Sequence, residues 1–396
     1  MLDKRRFDHP TPCDVSRVLE TRPERNFSSR TQNAPSNSSM QPHRKPNLFY
    51  NPGMSILRWL CAPLAPLYGL VVRARNMAFD KYPQRMERIP LPVLSVGNLS
   101  VGGTGKTPLT LHLAQVLEER GYPSVIVSRG YGGRRDIDPM DTNPGSNPSE
   151  VGDEPAMMAN RLGHDRVFVG RNRAAAALRA MSRRPSAKLL MLDDGFQHRA
   201  LHRDIDLLLL DGVRRWGNGK ILPRGDLREP MTSAARAHAL VVTRGSRADK
   251  TEVEAWWSAY GSGGPVFYVD FQIKALRNAG GGERLLPPAK PGALFAFCAL
   301  GHPQAFYADL LVAGLPWLET LSFRDHSSLT PAQIAKMGAR ARGLGAQSLV
   351  CTEKDAVKLT PAHLSACPLP IWVAEQEVLN AEALAEWLII ALSELQ

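Results

Sequence analysis

From Leu91 onward the chain alternates short, almost unbroken apolar runs with longer stretches of mixed polarity. "LPVLSVGN", "PSVIVSRG", "KLLMLDDG", "IDLLLLDG" and "ALVVTRG" read as strands, and Thr107–Arg120 between the first two reads as a helix. Strands that are apolar at successive positions, not at alternate ones, lie covered on both faces. That pattern predicts a parallel sheet flanked by helices, an α/β fold built from βαβ units. Residues 132–150, "GGRRDIDPMDTNPGSNPSE", read as a loop by composition. Gly and Pro cluster again over 274–292, a linker or hairpin. Beyond it "ALFAFCAL", "LETLSF", "SLVCTEKD" and "PIWVAE" read as strands, with helices at "PQAFYADLLVAG", from Pro331 and over Leu379–Leu395. The predicted organisation is a core domain over 89–273 and a second, smaller α/β domain over 293–396, with no internal repeat.

The first 88 residues follow no such rhythm. Residues 1–53 are rich in Pro, Ser, Asn and Arg without apolar period and read as a disordered extension. A basic start with no apolar core after it is not a signal peptide, and Met40 and Met54 are alternative starts. Over 54–88 comes an uncharged run from Trp59 to Val72, bracketed by Arg58, Arg73 and Arg75. As a helix it spans about 21 Å, short of the ~30 Å hydrocarbon core. Pro63 and Pro66 are expected to kink it. The prediction is an interfacial membrane-anchor helix, with Trp59 and Tyr68 at headgroup level and arginines at the phosphates.

Composition sharpens this. The 396 residues are enough for two domains, and 43% hydrophobic with 22% charged residues marks a folded chain. Of the net charge of +11, residues 1–53 carry nine Lys/Arg against five Asp/Glu and residues 54–88 six against two, so +8 lies in the first 88 residues. Charge beside an apolar segment, without interleaved aromatics, favours an anionic membrane surface over nucleic acid. Cys13, Cys61, Cys298, Cys351 and Cys367 are scattered, which excludes a disulfide framework or a C-x-x-C zinc site. His198 and His202, four apart, lack a third ligand for zinc. No protein partner is evident.

The chemistry is written in "SVGGTGKT". Ser100, Val101, Gly102, Gly103, Thr104, Gly105, Lys106 and Thr107 match a P-loop NTPase-like phosphate-binding loop, except that Ser100 stands where the first glycine belongs. The glycines let backbone amides close round an anion, Lys106 is placed to reach the β/γ-phosphates, and the Thr107 hydroxyl to reach Mg²⁺. A dinucleotide G-x-G-x-x-G cannot be laid over this stretch. N-K-x-D is absent, "TEKD" having the wrong order, so ATP is expected rather than GTP. Asp193 and Asp194 close a buried strand where a Walker-B acid sits and are the expected Mg²⁺ carboxylates. Asp153–Glu154 in "VGDEP", taken alone, reads as a helix N-cap.

"VGNLSVGGTGKTP", "SRGYGGR", "VGDEP", "GRNRAAA", "DDGFQHRALHRDIDLLLLD", "LPRGDLREP", "FRDHSSL" and "TEKDAVKL" follow one another in this order. From about Met54 to its end the chain resembles the tetraacyldisaccharide 4′-kinases of Gram-negative bacteria. The resemblance implies transfer of the ATP γ-phosphate to the 4′-hydroxyl of an acylated glucosamine disaccharide 1-phosphate lipid, at the cytoplasmic face of the inner membrane, by a peripheral, monotopic enzyme. It implies that Asp153 deprotonates the hydroxyl with His326 as partner, that Lys106 is catalytic, that Asp193 and Asp194 serve the metal, and that Arg171, Arg224 and Arg228 contact substrate. Ser327 stands where many relatives carry a second histidine. Because Asp153 and His326 fall in different predicted domains, the two domains must approach each other to complete the site. The alternative reading is a membrane-associated P-loop ATPase acting as a nucleotide-dependent switch.

Overall fold

The computed structural model describes residues 63–134, 137–289 and 291–395. The expected extension over 1–53, and Trp59, Arg58 and Cys61 of the expected anchor, lie outside the described residues.

The chain builds one large mixed sheet. Its strands are β1 (Val93–Asn98), β2 (Ser124–Ser128), β3 (Met140–Thr142), β4 (Val167–Val169), β5 (Leu189–Asp193), β6 (Ile205–Asp211), β7 (Ala239–Thr243), β8 (Val266–Asn278), β9 (Arg284–Leu285), β10 (Leu294–Cys298), β11 (Trp317–Ser322), β12 (Ser348–Thr352) and β13 (Ile371–Leu379). Across the sheet the order is β11-β10-β12-β13-β8-β7-β6-β1-β5-β2-β4-β3, with β9 paired to β8. The predicted apolar runs are strands, and β1, β5, β6 and β7 are buried at every position.

Two departures matter. The sheet is not wholly parallel: β8 pairs antiparallel with β13 and with β9, and β3 pairs antiparallel with β4. The stretch expected to be loop over 132–150 contains β3 and a short helix, Pro148–Val151, whose start is capped by the Asn147 side chain. The second departure concerns β8, which crosses the boundary expected at residue 273. Its first part pairs parallel with β7 as far as Thr243↔Val269, and its remainder pairs with β13 from Asp270↔Leu379 to Asn278↔Trp372. In turn β13 meets β12 only over Ile371–Ala374. The strands of the two halves therefore end facing each other, separated by the two-stranded β8/β13 ribbon. Loops at the carboxyl ends of parallel strands form the binding crevice of open α/β sheets, and here two such ends open onto one cleft.

Four apolar layers cover the two faces of the two halves, with a further cluster around Phe196, Trp256 and Trp257. The last helix, Glu382–Ser393, does not stay with the half from which it emerges. Its Leu384, Leu388 and Leu392 pack with Leu109, Leu113 and Leu117 beneath β1.

The first described helix, α1, spans Leu64–Lys81 without interruption. The expected kink does not occur because Pro63 is the N-cap and Pro66 lies in the first turn, where no intrahelical N–H is required. Its inward face carries Ala65, Gly69, Val72 and Asn76. Its outward face is apolar: Leu64, Leu67, Leu70, Val71 and Met77 are all more than half exposed. No helix among the described residues is long and apolar enough to cross a membrane.

Candidate active site

The cleft between the two sets of strand ends has a volume of about 1280 Å³. On one side lies the glycine loop, which leaves β1 at Asn98 and enters helix α2, Lys106–Glu119. Gly105 takes φ +82°, and a Cβ there would collide with the Phe271 ring of the ribbon, so glycine is required twice over. The loop is held from three sides. The Asn98 amide donates to Thr104 Oγ1 (3.0 Å), Thr243 Oγ1 donates to the Thr104 carbonyl (2.9 Å), and Val101 N–H donates to Asp226 O (2.7 Å). Lys106 Nζ stands 3.2 Å from Asn98 Oδ1 and 3.5 Å from Asp194 Oδ1.

The two adjacent aspartates are differently employed. Asp193 points into the start of α2 and accepts from Thr107 Oγ1 (3.4 Å) and Thr110 Oγ1 (3.3 Å). Burial first, and then the Glu154 and Asp194 charges, push its carboxyl up to about 7. Asp194 turns the other way through a left-handed backbone, φ 54°, and faces the cleft. Arg228 Nη1 donates to both its oxygens at 2.8 Å. Burial raises the Asp194 carboxyl, but Lys106 and Arg228 outweigh it and hold it below the usual carboxylate range.

In the same half as the glycine loop, Asp153 is the first residue of helix α3, Asp153–Leu162, behind Gly152 at φ 96°. Its carboxylate does not cap that helix. Asp153 Oδ2 lies 3.2 Å from His326 Nδ1 and 3.5 Å from Lys358 Nζ. Burial pushes its carboxyl up, yet the His326 hydrogen bond and the Lys358 and Lys354 ammonium groups prevail and lower it. His326 sits in a turn at φ 61°, an uncommon conformation for a non-glycine residue, fixed in part by its own N–H to Asp325 Oδ1 (3.0 Å).

Lys354 and Asp325 both approach Nε2 of His326, and the nearer of the two is Lys354. Its Nζ is 3.4 Å from His326 Nε2 and also 3.2 Å from Glu154 Oε1 and from Asp325 Oδ1. Burial would lower its pKa, but those two carboxylates raise it, so it stays an ammonium, which can only donate. The Lys354 contact favours Nε2 as acceptor, with the Nδ1 hydrogen directed at Asp153. Lys354 and Lys358 had no role assigned from the sequence. The available signal was their four-residue spacing in "TEKDAVKL", which sets both on one side of the short helix Glu353–Ala356 and the turn after it.

Of the arginines expected to meet substrate, Arg171 lines the cleft, its backbone N–H held by Asp138 (3.0 Å). Arg228 lines it as the clamp on Asp194, and Arg224 is exposed and is not among the lining residues. His198 also lines the cleft. Burial, then Arg173 and Arg203, pull its pKa down to about 4, which keeps it neutral beside that positive wall.

For a divalent cation the donors at hand are Asp193, Asp194 and the Thr107 hydroxyl. Two carboxylates with a hydroxyl at the mouth of an anion-binding loop suit magnesium, which keeps waters and takes phosphate oxygens for the rest of its shell. The Asp193 carboxylate, which accepts from two hydroxyls, is raised first by burial and then by the Glu154 and Asp194 charges, and a cation beside it would favour its ionised form. Among the described residues no group of three His, Cys, Asp or Glu side chains forms a self-sufficient metal cage.

At this cleft a glycine loop with its lysine and several arginines meet a carboxylate–histidine pair. That combination is the one a kinase requires, and a kinase is the class the relatives define. Residues 57–393 match the family described as tetraacyldisaccharide-1-P 4′-kinase, and the chain belongs to it. Among its relatives, a tetraacyldisaccharide 4′-kinase of Chromobacterium violaceum is 36% identical over 84% of this chain and 94% of its own length. One from Geobacter metallireducens is 38% identical over 76% of this chain and 88% of its own. The crystal structure of an "apo" form of LpxK from Aquifex aeolicus in complex with ATP superposes with a TM-score of 0.65 at 31% identity, covering 85% of this chain and 99% of that one.

Proposed function

We propose that the protein transfers the γ-phosphate of ATP to the 4′-hydroxyl of a tetraacyldisaccharide 1-phosphate, forming the 1,4′-bisphosphate of lipid A biosynthesis. The observation that carries this reading is the 3.2 Å contact between Asp153 and His326, which come from the two different halves and meet at a cleft lined by Glu154, His326 and the glycine loop. Residues 100–107 cradle the triphosphate, and Lys106 lies along its β/γ end. Asp193, Asp194 and Thr107 would hold Mg²⁺, whose charge would neutralise the phosphate oxygens. Phosphoryl transfer asks the protein mainly to position its reactants and stabilise charge.

Asp153, ionised at neutral pH, accepts the 4′-hydroxyl proton as the new P–O bond forms, and the hydroxyl oxygen attacks the γ-phosphorus while ADP leaves. A carboxylate with a lowered pKa is a weak base towards a resting alcohol. It becomes adequate only as the attacking oxygen acidifies, so transfer of the proton is tied to transfer of the phosphoryl group. His326, its tautomer favoured by Lys354, holds the Asp153 oxygen in place. Arg171 and the neighbouring positive wall suit the substrate's 1-phosphate. Mass spectrometry of the disaccharide 1-phosphate after incubation with enzyme and Mg·ATP tests the reading. A gain of one phosphate at the 4′ position is expected, whereas ATP hydrolysis with an unmodified acceptor would instead describe a nucleotide-dependent switch.

The outward stripe of α1, with Arg73, Lys81 and Arg85 nearby, supports docking on the cytoplasmic face of the inner membrane without spanning it. High salt should then release little protein from membranes, and detergent most of it. Protease-protected segments on both sides of the bilayer would contradict monotopic docking.

A further inference from the structure

The same helix that carries the outward apolar stripe is wired, on its inward side, to the nucleotide half of the cleft. The connection centres on Glu229, a carboxylate with 1% exposure. It accepts from Asn76 Nδ2 of α1 (2.9 Å), from Arg75 Nη2 of α1 (3.2 Å) and from Arg236 Nη1 (2.8 Å). A second tie lies one residue earlier, where Tyr68 Oη of α1 donates to the Arg228 carbonyl (3.0 Å). At Gly69 the helix backbone comes so close to Ile221 that an added Cβ would lie 2.5 Å from its Cδ1.

What these ties hold is not an ordinary surface loop. Residues 226–228 run beside the start of the glycine loop as a short antiparallel pair, with Val101 N–H to Asp226 O at 2.7 Å and Arg228 N–H to Leu99 O at 2.6 Å. The Arg228 side chain then grips Asp194, and Arg236 returns to the segment after Asp194 through the Phe196 carbonyl (3.2 Å) and ring. A third link joins Arg199 of that segment to the Asn76 carbonyl (2.9 Å) and to Asp80 (2.7 Å).

A buried carboxylate serving Asn76 and Arg75 of α1 and Arg236 and Ser233 of a second element has one low-energy place, and leaving it unsatisfied is costly. Helix α1 therefore cannot shift without moving Glu229, and Glu229 cannot move without its neighbour Arg228. We propose that Glu229, with Asn76 and Tyr68, acts as a positioning knot through which α1 sets the place of Arg228, and hence of the Asp194 carboxylate and the edge of the glycine loop. The inference rests on reading that loop as the nucleotide site. Its content is that α1, whose Tyr68 and Arg75 also line the cleft, acts on nucleotide binding through Asn76 and Glu229, which do not line it, so that its seating and nucleotide occupancy favour one another, as linkage requires.

The test uses the full chain in detergent without acceptor lipid, so that a lipid-docking role of α1 cannot register. Affinity for a non-hydrolysable Mg·ATP analogue is measured by calorimetry, and amide exchange of residues 68–81 is followed with and without it. Asn76→Ala, Tyr68→Phe and Glu229→Gln are compared with wild type, with thermal melts checking that each is folded. Because Glu229→Gln leaves Arg236 buried beside a neutral amide, the two helix variants carry the test should it fail to fold. Asn76→Ala is expected to weaken analogue binding about three- to tenfold, the usual coupling of groups in one network. Analogue should slow exchange in α1 of wild type and fail to do so in that variant. Analogue affinity within twofold of wild type in folded Asn76→Ala and Tyr68→Phe, or α1 exchange in wild type indifferent to analogue, would overturn the knot while leaving the kinase reading intact. No analogue binding by wild type would sink the nucleotide reading of the loop and the knot with it.

Discussion

Asp153→Ala and His326→Ala are each expected to lose most of kcat, roughly 10²- to 10⁴-fold for a positioned general base, with KM for ATP close to wild type because the glycine loop is untouched. The double variant should be little worse than the worse single one. The reason lies in the contact itself. The His326 Nδ1 hydrogen is directed at the same Asp153 oxygen that Lys358 approaches, so removing the imidazole leaves the carboxylate free to turn towards Lys358, out of line for the acceptor. Removing Asp153 leaves a histidine with nothing to hold. Groups that act through one another lose their value together. Losses that multiply in the double variant would mean that the two side chains work separately, and the pair would have to be abandoned as a unit.

Lys106→Ala should reduce kcat on the order of 10²-fold or more, the effect of deleting a fixed donor aimed at transition-state charge. Unlike the Asp153–His326 pair, Lys106 is expected to act in ground and transition states alike, so KM for ATP should rise as well. Its ammonium also lies 3.5 Å from Asp194, and its loss would leave Arg228 as the main counter-charge there. Lys106→Arg is not expected to rescue turnover, since a planar fork does not replace a point charge in a closed loop. Steady-state kinetics with a fixed acceptor concentration decide the matter. Near-normal turnover in Lys106→Ala would remove residues 100–107 from the nucleotide site.

The strands whose sequences are apolar at every position were readable because a doubly covered parallel strand has no solvent face to encode. β8 was not readable for the converse reason. Over "VFYVDFQIKALRN" it changes partner midway and is half-exposed along the ribbon, so Asp270, Lys274 and Arg277 interrupt its pattern. Its last residues looked like the beginning of a linker. β4, with three residues, is too short to show a period. In the cleft, the loop and the Asp193–Asp194 pair are local patterns and could be read directly. Asp153 and His326 stand 173 positions apart. Only the family resemblance joined them, because no spacing rule reaches across a sheet that reverses direction between them. The roles of Lys354 and Lys358 depend on the same closure. Arg228 was expected to face the substrate, and its engagement with Asp194 is set by the pairing of residues 226–228 with the loop, which no linear pattern announces.

The position of the closing helix has a consequence for how the protein is made. Leu384, Leu388 and Leu392 complete the apolar layer beneath β1 and α2, so the half that carries the glycine loop is sealed by residues synthesised long after it. Domains of a nascent chain commonly finish folding in order of emergence. Here the half that carries the glycine loop must wait, with the underside of its central strand uncovered, until the ribosome has delivered the helix Glu382–Ser393. The pairing of such distant segments slows folding. A nonsense mutation that removes only the final helix would therefore spare every residue named in the cleft and still yield a chain unable to close its core.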